Sequence, residues 1–102
     1  MNRLQRVQRD YRAAFLHYLI SSDEPALHAG YKIGRTAVAD GLSLLDLVRV
    51  HHQVLSELVR AGDEPADPLV SAASDFLVEV LASYHMAQRT PEREGSAAPA
   101  DR

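Results

Sequence analysis

The chain has 102 residues, 46% of them hydrophobic and 25% charged, a balance that fits one ordinary folded domain with a modest core. It contains no cysteine, which excludes disulfide scaffolds and thiolate metal sites and makes a reducing cytoplasm the expected location. The net charge of −3 gives no electrostatic reason to bind nucleic acid, and no stretch approaches the roughly 20 apolar residues a membrane span needs.

Leu4, Val7, Tyr11, Phe15 and Tyr18 recur at three- and four-residue spacings, predicting a first helix over about 2–20 with one apolar side. Arg3, Arg6, Arg9 and Arg12 recur every third residue and wind slowly around it, as a solvated face does. Ser21-Ser22-Asp23 then offers acceptors for the next helix, with Pro25 in its first turn. That second helix carries Leu27, Tyr31, Gly34 and Val38 and is stopped by Asp40-Gly41. Gly30 and Gly34 lie one turn apart; each costs about 1 kcal/mol against alanine in a helix, so close approach of a neighbour is expected there.

Ser43 opens the third helix, with Asp46 completing a capping box and Leu42 and Leu47 placed as a hydrophobic staple. The helix runs to about Ala61 and ends at Gly62. Leu44, Leu45, Leu47, Val48, Val50, Val54, Leu55, Leu58 and Val59 cover more than half its circumference. Such a wide apolar surface fits either a helix buried within its own bundle or one covered by the bundle on one side and a second subunit on the other; a four-helix bundle has no central helix, which favours the second subunit. The fourth helix, capped at Asp67 and begun at Pro68, carries Leu69, Ala73, Phe76, Leu77, Val80 and Tyr84. It is expected to stop near Arg89, because Pro91 disfavours helical geometry at Thr90. The expected organisation is an all-α, antiparallel four-helix bundle over 1–89, forming a homodimer, with a disordered tail over 90–102.

Catalytic signatures are missing: there is no phosphate-binding glycine loop, no cysteine nucleophile and no nucleophile elbow. His17, His28, His51, His52 and His85 include no His-x-x-x-His pair and no Glu-x-x-His motif, so neither a metal nor another cofactor is expected.

Two segments carry a family resemblance. Tyr31-Lys32-Ile33-Gly34-Arg35, followed by Gly41 to Val48 and His51-His52, form the first; Phe76-Leu77-Val78-Glu79 through Tyr84-His85-Met86 to Arg89 forms the second. Together, over about 11–89, they resemble the N-terminal domain of RsbU, the phosphatase of bacterial partner switching. The resemblance implies a four-helix domain that homodimerises, docks a serine-kinase-like switch protein, and belongs to stress-response signalling. Tyr84-His85-Met86 stands where the family tends to have Phe-Glu-Met, and Arg89-Thr90-Pro91 stands where its helix continues towards an effector domain. A stand-alone, non-catalytic interaction module is therefore expected, whose output is the complex itself. Tyr31, Gly34, Arg35, Leu45, Val50, His52 and Val54 are the candidate partner or dimer-interface residues, with Arg35 placed to meet Asp46 or Glu79. A small-molecule or metal sensor with a pocket near Tyr31, Gly34 and His51 is the alternative.

Overall fold

The computed structural model describes residues 2–97, with side chains through 89. Four helices follow in order: α1 (Arg3–Ser21), α2 (Glu24–Ala39), α3 (Leu44–Ala61) and α4 (Ala66–Ala97). No strand occurs among the described residues.

Local hydrogen bonds set the helix starts. Asn2 caps α1 by accepting from the Gln5 N–H, while the Gln5 side chain accepts from the Asn2 N–H. Asp23 accepts from the Ala26 N–H at 3.0 Å to begin α2. Ser43 and Asp46 form the reciprocal box on α3, at 3.1 and 3.0 Å. At its other end Gly62 adopts φ +71°, a left-handed geometry that glycine takes without strain.

Two boundaries of α4 differ from the sequence reading. The helix begins at Ala66, and the Leu69 N–H bonds the Pro65 carbonyl, so Asp67 and Pro68 sit inside the first turn. Proline is tolerated there because first-turn N–H groups lack helical acceptors. At the far end the backbone continues past Pro91 to Ala97 rather than stopping near Arg89. A proline removes a single i→i−4 bond, and Glu92, Arg93 and Glu94 after it favour helix. The part of the expected disordered tail beyond 97 lies outside the described residues.

Successive helices alternate in direction, but their order around the core is not that of the chain. Gly30 faces Phe76 and Val80, while Gly34 faces Val80, Ser83 and Tyr84, so α2 and α4 run side by side in the same direction. Arg3 reaches the Asp40 carbonyl beyond the end of α2, and Tyr11 meets His51, so α1 runs alongside α3. The core is built from Val7, Tyr11 and Phe15 of α1, Ile33 and Ala37 of α2, Leu47, Val50 and Val54 of α3, and Leu69, Ala73, Phe76, Val80 and Tyr84 of α4. Phe76 lies at its centre, with ring centroids 5.2 Å from Tyr11, 5.5 Å from Phe15 and 5.9 Å from Tyr18. Tyr84 closes the end near the α2–α3 turn, its hydroxyl donating to the Leu42 carbonyl at 2.8 Å.

Candidate interaction faces

The glycine pair is a packing device between α2 and α4. A Cβ on Gly34 would overlap Ser83 Oγ and the Val80 carbonyl oxygen, and would lie 2.8 Å from the Tyr84 nitrogen. Ser83 fills this notch fully buried, with its hydroxyl donating to the Val80 carbonyl at 3.0 Å. The expected pocket beside Tyr31, Gly34 and His51 is thus filled by α4 where it meets Gly34.

His51 is the polar member of the α1–α3 contact. The Tyr11 hydroxyl lies 2.7 Å from His51 Nδ1, and the rings meet edge to face at 5.9 Å. Burial, and then the neighbouring His52, push the His51 pKa below the usual imidazole range. Burial also pushes the Tyr11 phenol well up, so it stays protonated beside His51. With the folded pKa depressed, the unfolded chain binds more protons as pH falls through about 6.5, the ordinary imidazole value. The stability contributed by neutral His51 is complete above that value and is lost on acidification towards the folded pKa. Thermal melts should show a falling midpoint from pH 7.5 to 5.5, with a weaker fall in His51→Gln; equal slopes would show that His51 does not contribute.

The seven candidate interface residues divide by burial. Gly34, Val50 and Val54 belong to the chain's own core, which withdraws them from any surface available in this conformation. Val50 and Val54 face inwards because α1 and α4 take up one side of α3's apolar circumference. Leu45 and His52 lie on the opposite side, Leu45 at 65% exposure. There they join Leu44, Val48 and Val59, all exposed, and the flanking Arg49 and Arg60. His52 Nε2 approaches Ser56 Oγ at 3.4 Å, one helical turn away.

Tyr31 and Arg35 form a second face, on α2. The Tyr31 ring stacks on His28 at 5.4 Å with 17° between planes, and the Arg35 guanidinium lies 5.9 Å from the Tyr31 centroid. Arg35 Nη1 also donates to the Tyr31 hydroxyl at 3.2 Å. The expected pairing of Arg35 with Asp46 or Glu79 is therefore replaced by a contact one turn away on its own helix. Asp46 is engaged instead in capping Ser43.

The outward residues Leu44, Val48 and Val59 were legible only as part of a wide apolar surface. For Val48 and Val59 a sharper signal is the alternation of three- and four-residue steps through 45, 48, 52, 55 and 59. A cleft of about 700 Å³ runs along α3 between Val48, Arg49, His52, Gln53, Ser56 and Arg60, and one of about 450 Å³ separates Leu44 from Leu81, Tyr84, His85 and Gln88. Among the described residues no group of three His, Asp or Glu side chains is placed to hold a metal ion. No helix among them is long and apolar enough to cross a membrane.

Against known proteins, neither the curated sequences nor the solved structures yield a match. The family model described as phosphoserine phosphatase RsbU, N-terminal domain, does match, over residues 9–87. That span runs from α1 into α4 and takes in the buried aromatic cluster, the glycine notch and both outward faces. The chain belongs to the RsbU N-terminal domain family.

Proposed function

We propose that this domain is a non-catalytic regulatory module that homodimerises and docks a serine-kinase-like switch protein in a bacterial partner-switching stress response. The family match over residues 9–87 is the observation that carries this reading, since it concerns the N-terminal rather than the phosphatase region. The two outward faces supply a physical basis for it. The α3 face is apolar with cationic edges, while the α2 face is a compact stack of His28, Tyr31 and Arg35. Tyrosine and arginine dominate binding energy at protein interfaces because a large, already ordered surface loses little entropy on contact. The α2 stack is therefore the docking surface for the switch protein, leaving α3 for self-association.

Titration calorimetry of the purified domain with a serine-kinase-like switch protein from the same genome tests the assignment. Saturable binding is expected, weakened about tenfold or more by Tyr31→Ala, the cost of losing an interface anchor. Absence of a complex with every such protein encoded in that genome overturns the partner assignment. Binding unaffected by Tyr31→Ala overturns the choice of face.

A further inference from the structure

We propose that the edge of α3 from Arg49 to Arg60 is a docking cleft for an acidic segment of a partner protein, an extended chain with two carboxylates four residues apart. This goes beyond the readings above: it uses no part of the α2 stack and lies beside the exposed apolar strip, with Val48 at the border of both.

The distribution of ion pairs singles out these two cations. The side chains charged at neutral pH on α3 are Asp46, Arg49, Glu57 and Arg60. Asp46 turns back to accept from the Ser43 N–H in the helix cap, and Glu57 holds Arg12 of α1. Both acids are thereby withdrawn, and among the described residues neither Arg49 nor Arg60 has an ion pair. The chain as a whole carries −3, so a positive edge without counter-charge is a local feature and not general basicity.

Geometry sets the form of the ligand. Eleven residues separate Arg49 from Arg60, which puts them within about 20° of each other around the helix and about 16 Å apart along it. Between them His52, Gln53 and Ser56 line the cleft of about 700 Å³. A single phosphate would meet one arginine at a time across that length, whereas a short stretch of extended chain fills it. Such a chain rises about 3.3 Å per residue and alternates faces, so carboxylates four residues apart share a face and stand about 13 Å apart. Two long, exposed arginine side chains can meet that span, each offering paired N–H donors to one carboxylate.

The middle of the cleft suits a peptide backbone. The Gln53 amide has no hydrogen bond among the described residues, and it can both donate to and accept from a main chain. The Ser56 hydroxyl and His52 Nε2, 3.4 Å apart, add further polar contacts beside it. No aromatic side chain lines the cleft among the described residues, so it lacks the stacking platform on which single-stranded nucleic acid is held.

Nuclear magnetic resonance titration of the isotope-labelled full chain at low salt tests the proposal, since surface arginine–carboxylate bonds are individually weak. The probe is the peptide Glu-Ser-Leu-Ser-Glu with both ends blocked. Saturable shifts are expected in the amides of 49–60, with affinity about tenfold or more above that of Gln-Ser-Leu-Ser-Gln. Arg49→Gln and Arg60→Gln should each weaken binding about threefold or more, and the double variant about tenfold or more. Both side chains are exposed, so circular dichroism of these variants should be unchanged. Arg35→Gln, on the α2 stack, should leave peptide binding as it is. Equal binding of the glutamine peptide, or shifts outside α3, overturns the cleft. Equal binding of Glu-Glu-Ser-Leu-Ser overturns the spacing, and tighter binding of an oligothymidylate of the same length overturns the peptide assignment. The switch-protein titration above reads Tyr31 on the other face, so either reading can fail alone.

Discussion

Replacing Phe76 with alanine should lower the unfolding free energy by about 3–5 kcal/mol, the range for truncating a buried aromatic. Phe76 is fully buried, and Tyr11, Phe15 and Tyr18 of α1 surround its ring at centroid distances of 5.2–5.9 Å. The ring also packs beside Gly30, so it joins α1 and α2 to α4. Its loss leaves a cavity bordered by three helices, and none of them can close in without losing contacts elsewhere. Small domains have total stabilities of about 5–15 kcal/mol, so the variant should be partly unfolded at moderate temperature. Urea denaturation supplies the number. Val78→Ala, two residues along the same helix but exposed, should change stability by no more than about 0.5 kcal/mol. A loss below about 1 kcal/mol for Phe76→Ala would show that the aromatic cluster does not anchor the core.

Gly34→Ala should destabilise the domain by about 2 kcal/mol, although alanine is the better helix former by about 1 kcal/mol. The sign follows from what the added methyl meets. Ser83 Oγ could rotate away, but the Val80 carbonyl and the Tyr84 nitrogen are backbone, and clearing them requires α2 and α4 to separate. Separation would loosen Ala37, Val80 and Tyr84, all buried in the same core. Gly30 provides the comparison. Its nearest neighbours are side-chain atoms, Phe76 Cε1 at 3.0 Å and a Val80 methyl at 3.3 Å, which can yield by a few tenths of an ångström. Gly30→Ala should therefore cost less than Gly34→Ala, and Gly34→Ala/Ser83→Gly should recover little of the loss. Thermal melts of the three variants check the order; recovery in the double variant would locate the clash in the serine hydroxyl.

These two sites also bear on function. The interior joins α2 to α4 through a rigid notch and α1 to α4 through edge-on and tilted rings, while α3 contributes one apolar side and leaves the other outside. The domain can therefore hold its own fold with an apolar strip still exposed. That exposed strip is the surface the proposed self-association would cover.

The helix starts of α1, α2 and α3, the glycine at 62 and the need for close packing at Gly30 and Gly34 were determined by the sequence alone. Each depends on groups within a few residues: a Ser43 hydroxyl three positions before the Asp46 N–H, a glycine where φ is positive, or two glycines one turn apart. Interactions of that range carry the same physics in any tertiary setting. The family was legible too, because its pattern is one of residue order. Tertiary structure decided the rest. Nine apolar residues wrap most of α3, and periodicity cannot say which side the other helices cover; packing put Val50 and Val54 inside and Leu45 outside. Arg35 lies over Tyr31, and His51 bonds Tyr11 from forty residues away, because helix order around the core fixes which polar groups come within reach. The continuation of α4 past Pro91 also departs from a local rule, since a proline weakens a helix by one missing bond without dictating where it ends.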